Sequence, residues 1–322
     1  MKTSMKCFAA IAFLLASTLA AAQPVKPVRM MVGFPPGGAV DILARIFAER
    51  LAEGLGHPVI VETRPGAAGQ LAAEVVKTAP PDGYTIMLCP DASVVVRPLT
   101  LRKAPYDPIA DFAAVAHTGL ATQALAVSAA VPAKDLREFT AWAKANPDKA
   151  SVALPGLGGS VHFFAVMIAQ ELGVNMQMVP YKGSGPSVSD LAAGHVMISV
   201  NPLGTMLAQY KAGKIRVIAV SAKQRTVTAP DVPTFTEQGY PQLNMDAWFG
   251  IFAPVGTPAE LVNRMNAIVI QAERTPVIRD RMHGLDLDIQ EMTPAEFAAL
   301  VKRDYERWTP VVKASGFKAD EQ

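Results

Sequence analysis

Two glycine-rich runs hold the residues best placed for chemistry. The first, Phe34-Pro35-Pro36-Gly37-Gly38, stands where the apolar run Arg29 to Phe34 stops and a helical pattern from Asp41 to Leu55 begins. Backbone N–H groups at such a helix start lack partners and lie at the positive end of the helix dipole. The turn can therefore hold a carboxylate without a cationic side chain. Gly37 and Gly38 let a ligand approach the backbone closely. On the residues alone, an ordinary tight turn explains the same run. Asp41, in the first helical turn, is expected to satisfy free N–H groups and favour the dipole more than to touch a ligand. The second run, Gly156-Leu157-Gly158-Gly159-Ser160, precedes a helical pattern from about Val161 to Leu172. It offers a second anion-receiving helix start, with the Ser160 hydroxyl as a further donor. It lacks a complete G-x-G-x-x-G, so a dinucleotide-binding reading is weak.

Other residues with chemical capacity are scattered. Cys89-Pro90-Asp91-Ala92-Ser93 ends a strand pattern, and ligands of open α/β sheets lie at such ends. Asp91 can pair with a cationic group if it faces a cleft, whereas a charged loop residue by default points to solvent. Cys89 reads as a small buried apolar residue rather than a reactive thiol. His57, His117, His162, His195 and His283 show no metal-ligand pair, and His162 beside the second run reads as a structural helix-start histidine. There is no G-x-S-x-G elbow and no Walker loop, and no cofactor is expected. Tyr181 and Lys182 can supply polar contacts, while Trp248 and Phe249 read as core.

The elements that must position these residues follow a repeating plan of strand, turn, helix and strand. Strand-like runs fall at Pro58 to Thr63, Tyr84 to Cys89, Val152 to Leu154, Met176 to Tyr181, Val196 to Asn201 and Arg216 to Ser221, with Trp248 to Pro254 a further buried-strand candidate. Strands alternating with helices predict an α/β chain with mainly parallel sheets covered by helices on both faces. Two such sets, one on each side of the segment around His117 to Ala126, predict two lobes with a cleft between them. Lobe 1 is discontinuous, at 23–120 and 240–322, and lobe 2 spans 121–239. After Pro254 only helical patterns are read.

Met1 to Ala22 has a basic start at Lys2 and Lys6, an apolar stretch from Cys7 to Leu19 and small residues at its end. That layout is a cleaved secretory signal at 1–22, and its apolar stretch falls short of the about 20 residues a membrane span needs. Removing it leaves twenty-eight basic residues against Asp+Glu 28, so the mature chain has no basic excess to attract nucleic acid or an anionic membrane. Cys89 is then the one cysteine left, which excludes an internal disulfide. With half of all residues apolar, about 300 mature residues can bury the cores of about two domains.

Several short motifs occur in order: Gly33-Phe34-Pro35-Pro36-Gly37-Gly38 with Asp41, Arg64-Pro65-Gly66-Ala67-Ala68-Gly69, Pro81-Asp82-Gly83-Tyr84-Thr85, and Pro105-Tyr106-Asp107-Pro108 with Asp111-Phe112. Pro180-Tyr181-Lys182-Gly183, Pro230-Asp231-Val232-Pro233-Thr234 with Glu237 and Gly239, and Trp248-Phe249-Gly250 with Ala253-Pro254 and Gly256-Thr257-Pro258 follow. This set resembles the tripartite tricarboxylate transporter substrate-binding proteins, the Bug receptors, over essentially the whole mature chain. The resemblance implies a two-lobed type II periplasmic-binding-protein fold and a small mono- or dicarboxylate ligand. It implies a periplasmic receptor, expected as a monomer, whose partner is a membrane permease of the tripartite type or a sensor protein. It makes the Phe34 to Gly38 turn the anchor for one ligand carboxylate, partly through bound water.

The chain also departs from that pattern. Relatives commonly carry Gly-Ser-x-Gly-x-Gly-Ser three residues before a His, whereas Ala153, Leu154 and Gly159 stand here at the first Gly and the two Ser positions before His162. A less polar cleft, suited to an aromatic or alkyl acid over citrate, is the expectation. Asp91 and Ser93 replace residues usually neutral and small, leaving room for a ligand that also carries a positive group. Met197 and Asn201 stand where Asp is frequent, and Thr205 keeps a hydroxyl where Ser is frequent. Asn201 either contacts the ligand or closes a turn. The Arg64 loop either presents a guanidinium or shapes the rim, and the rim reading is preferred. The rival function is an exported hydrolase or isomerase using Asp41, Asp91 or His162 as base; a receptor serving a signalling partner is the third.

Overall fold

The computed structural model describes residues 26–319 apart from 38, 182 and 246. The signal expected at 1–22, Gly38 and Lys182 thus lie outside the described residues. Among the described residues, eleven strands form two sheets. In the first, β1 (Val28–Val32) pairs in parallel with β2 (Val59–Thr63) and β3 (Thr85–Pro90). The antiparallel strands β10 (Ala247–Pro254), β4 (Phe112–Ala121) and β11 (Leu287–Asp288) complete it. In the second, β6 (Ser151–Leu154) pairs in parallel with β7 (Gln177–Pro180) and β8 (Ile198–Pro202), and β8 pairs antiparallel with β5 (Gln123–Ser128), which pairs with β9 (Ile215–Val220).

The α/β, two-domain reading holds, and each sheet is mixed. Parallel pairing is confined to β2-β1-β3 and β7-β6-β8, where helices connect the strands. It gives way to antiparallel pairing where strands run directly between the sheets. The short β11 breaks the expected all-helical tail, and two residues are too few to show a period. Strands buried on both faces explain the near-continuous apolar runs: β5 is buried at all six positions and β1 at four of five.

Helices α1 (Ala39–Leu55) and α2 (Gln70–Lys77) follow the first two strands. Helices α3 (Leu136–Ala145), α4 (Ser160–Leu172), α5 (Ser184–Ala193) and α6 (Leu203–Lys211) belong to the second domain, and α7 (Ala259–Glu273), α8 (Pro276–Gly284) and α9 (Pro294–Ser315) return to the first. The chain changes sheets first across the single residue Thr122 and again between β9 and β10, and the two crossings are tied: Gln123 N donates to Ser221 Oγ at 2.9 Å and Ser221 N to the Gln123 carbonyl at 2.9 Å.

The last helix straps the two domains together. It starts at a capping box between Thr293 and Glu296, with Pro294 at its first position, and stops at Gly316 in left-handed conformation. Its first half packs Phe297 against Trp248 and Phe252 of β10. About 17 Å further along, at 1.5 Å per residue, Trp308 meets Phe163 of α4, and Phe317 just beyond the helix touches Phe163 and His162. One apolar core consequently runs through both domains, joining Met31, Trp248 and Phe252 to Leu125, Phe163 and Ile198. Trp308 is 2% exposed. Trp308→Ala is expected to cost about 3–5 kcal/mol, read as a lower urea midpoint with unchanged slope.

Candidate ligand-binding site

The first glycine turn is shaped by close backbone approach. A Cβ on Gly33 would lie 2.3 Å from Gly69 Cα, so only glycine fits there. Phe34 is half-buried, Pro35, Pro36 and Gly37 are exposed, and Gly37 has φ +86°. Asp41 turns inward, as the capping reading expected. Its carboxylate accepts from Gly37 N at 3.0 Å and pairs with Arg45 Nε at 3.0 Å. Arg45 holds that carboxyl below its ordinary range. Asp41 therefore braces the turn.

The neighbouring loop brings in the end of β3. Ala67 and Ala68 both adopt left-handed angles, φ +47° and +55°, which cost an L-residue roughly 1–2 kcal/mol each. Ser93 Oγ donates to the Ala68 carbonyl at 2.7 Å, and Gly69 lies against both Ser93 and Phe34. Ser93, 0% exposed, thus ties this loop to the end of β3. Arg64 is exposed at the rim.

Asp91 does not point to solvent. It is 2% exposed, and its Oδ1 accepts from Ser160 Oγ, at the start of α4, at 3.3 Å. Burial, reinforced by Asp304, pushes its carboxyl up to about 8. Asp304 on α9 is also raised by burial and accepts from Trp248 Nε1 at 2.7 Å. Gln123, Phe164, Met245, Ala247 and Trp308 line a small gap together with Asp91 and Ser160, and Gln123 Oε1 is buried there without a partner. Cys89 is buried and its thiol is pushed up by burial, as its apolar reading implied.

The second glycine turn is held from within. Gly158 N donates to His162 Nδ1 at 3.2 Å, and Phe317 packs so close that a Cβ on Gly158 would lie 2.9 Å from its ring. His162 is 6% exposed, wedged between Phe163 and Phe317, and burial lowers its pKa to about 4. A neutral ring with Nδ1 as acceptor follows. Gly159 lies beside Ala92, while Gly156 has open space around it. The two glycine turns are therefore joined through one patch: Phe34 to Gly69, Gly69 to Ser93, and Ala92 and Asp91 to Gly159 and Ser160.

The tripartite tricarboxylate transporter family receptor model matches residues 43–317. The chain belongs to this receptor family. It is 30% identical to Protein BugT of Bordetella pertussis over 312 residues, covering 97% of this chain and 96% of that one. A Rhodopseudomonas palustris protein solved with bound malate is 32% identical at TM-score 0.78, covering 90% of this chain and 99% of its own. An R. palustris protein solved with adipate is 29% identical at TM-score 0.80, covering 92% and 99%.

Within this receptor, three sequence expectations for the second domain change. Asn201 is the penultimate residue of β8 and 0% exposed, donating to Ser187 Oγ at 2.9 Å and Ser199 Oγ at 2.8 Å, so it is a core residue and not a loop contact. Thr205 is exposed and its hydroxyl donates to the Pro202 carbonyl at 2.7 Å. Ala153 and Leu154 are both 0% exposed in the sheet, so the hydroxyl missing at Leu154 is a difference in the core; of the three altered positions only Gly159 stays at the turn. The start of α6 is covered by Asp286, whose carboxylate accepts from Gly204 N and from Thr228 Oγ1. Asp286 and Phe317 escaped the sequence reading; the apolar residue right after a helix-ending glycine was the one signal for Phe317.

Buried acids set a pH dependence. Glu273 is 0% exposed with neither carboxylate oxygen partnered, and burial pushes it, like Asp91, up to about 8. The native state then binds more protons than the unfolded chain between the ordinary carboxyl range and about 8, so stability falls as pH rises through that window. His117 and His162, lowered to about 4, act oppositely but only below about 6.5. Between pH 6.5 and 8 the melting temperature is expected to fall, with Glu273→Gln flattening the slope in thermal melts.

Proposed function

We propose that this receptor is a periplasmic protein that captures a small mono- or dicarboxylate between its two domains and presents it to a tripartite-type membrane permease or a sensor protein. The observation that carries the reading is the single patch joining both glycine turns, in a chain whose relatives hold malate and adipate. Phe34 and the exposed backbone around Gly37 supply the first-domain contact, and Gly156, Gly159 and the Ser160 hydroxyl the second. Residues 1–22 act as its export signal. The lobes are taken as 23–120 with 240–322 and 121–239, in line with the sheet change at Thr122. The receptor works as a monomer without cofactor.

A catalytic role is disfavoured by the state of the proposed bases. Asp41 is paired with Arg45, His162 accepts from its own turn between two phenylalanines, and Asp91 is buried against Ser160. Binding to the folded state raises stability by about 2.7 kcal/mol at a hundredfold excess over Kd. A thermal-shift screen of aliphatic and aromatic acids is expected to show melting-temperature rises of a few degrees for adipate- or malate-sized acids. No response to any carboxylate, or turnover of one, overturns the proposal. Phe34→Ala is expected to weaken the best acid about tenfold, or about 1.4 kcal/mol, by calorimetry.

A further inference from the structure

The second domain turns the starts of two helices, α4 and α6, toward the first, and each carries a carboxyl group from the first domain. Asp91, at the end of β3, accepts from Ser160 Oγ at the first position of α4. Asp286, just before β11, accepts from Gly204 N in the first turn of α6. The fit is close at both places. Gly159 lies against Ala92, where a Cβ would come within 3.8 Å of Ala92 Cβ. At Gly204 an added Cβ would sit 2.7 Å from Asp286 Cβ and 2.8 Å from the Leu285 carbonyl. Asp286 adopts φ +54°, a left-handed angle uncommon for an aspartate, to bring its carboxylate there.

A carboxyl at a helix start answers the same unpaired N–H groups and dipole that would receive a ligand's carboxylate. The α6 start is braced at the edge of the first sheet, where β11 pairs with the end of β4. The α4 start belongs to the patch that joins the two glycine turns. We propose that Asp91 is an internal stand-in for the ligand's carboxylate: it latches the domains together at Ser160 in the empty receptor and is displaced when ligand binds. This rests on the carboxylate-receptor reading above. It gives that reading a mechanism of exchange, in which the incoming group takes over the Ser160 hydroxyl.

The environment of Asp91 favours the exchange. Burial and the nearby Asp304 hold its carboxyl toward the neutral form, and a neutral acid is a weaker partner for a helix start than an ionised carboxylate. A ligand entering fully charged thus replaces a weaker hydrogen bond with a stronger one. The latch also sets a threshold, because an acid that cannot displace Asp91 leaves the domains joined as they were. Asp91 on this account is a specificity-determining residue, acting by competition and not by attraction.

The test compares wild type with Asp91→Ala, and with Asp91→Asn as a same-size variant in case the alanine protein does not fold. Adipate and malate affinities are measured by calorimetry, and amide hydrogen exchange of residues 158–163 is followed in ligand-free protein. The latch predicts tenfold or tighter adipate binding in Asp91→Ala, a smaller gain in Asp91→Asn, and faster exchange at 158–163 in both. Unchanged or weaker binding, with unchanged exchange, overturns it, and weaker binding alone makes Asp91 a direct ligand contact. If no acid binds any of the proteins, the receptor reading fails, while the exchange rates of the empty proteins still decide whether the latch exists.

Discussion

A backbone N–H at the start of a helix must find an acceptor, and this requirement organises the space between the two sheets. At α1 the acceptor is Asp41, four residues on in its own helix, and Arg45 keeps that carboxylate ionised. At α4 the turn is closed by His162 Nδ1, an acceptor only because burial keeps the ring neutral. At α6 it comes from the other domain as Asp286. Each solution holds a turn in shape while leaving part of it open. Gly37 is exposed and Gly156 has room beside it, so both turns are already formed and accessible. Preformed donors lower the ordering cost of binding.

The same elements decide how the domains relate. The short crossing at Thr122, from β4 to β5, lies beside the start of the return segment that leads from β9 to β10, and Gln123 and Ser221 exchange hydrogen bonds between the two. The last helix then lays Phe297 on the first domain and Trp308 on α4 of the second. Phe317 carries this contact to the second glycine turn, where it packs on Gly158 and His162. A carboxyl-terminal residue thereby shapes a binding turn some 160 positions earlier in the chain. Change in domain angle has to pass through this aromatic chain, because packed interiors switch between discrete arrangements and do not stretch.

Legibility in the sequence follows the range of each cause. The strands and the α1 and α4 helices were readable because burial on both faces gives continuous apolar runs and burial on one face gives helical spacing. Asp41 as a cap was readable because the Gly37 N–H that donates to it lies four residues away. The surroundings of Asn201, Ser93, Asp91 and Leu154 were not readable for the opposite reason: what fixes them is distant. Asn201 is held by Ser187 and Ser199, Ser93 by Ala68, and Asp91 by Ser160, across as many as 69 positions. A loop aspartate reads as solvated until the partner that buries it is known. Antiparallel pairing of β10 with β3 and β4 was hidden likewise, since a run of buried residues carries no strand direction.

A buried acid in a surface meant to receive anions raises an electrostatic problem. Two like charges 4 Å apart repel by about 4 kcal/mol at an effective dielectric constant of 20, enough to weaken a ligand roughly a thousandfold. The chain meets this by keeping Asp91 in a setting where ionisation is unfavourable, between the apolar walls of Phe164 and Trp308 and within the field of Asp304. Asp304 is itself directed to the Trp248 indole, away from any shared hydrogen bond with Asp91. A neutral Asp91 keeps the shape and acceptor oxygens of a carboxylate without its charge. It can therefore satisfy Ser160 without placing a charge at the start of α4. An acid at position 91 is thus compatible with anion capture, because burial removes the charge that would oppose it.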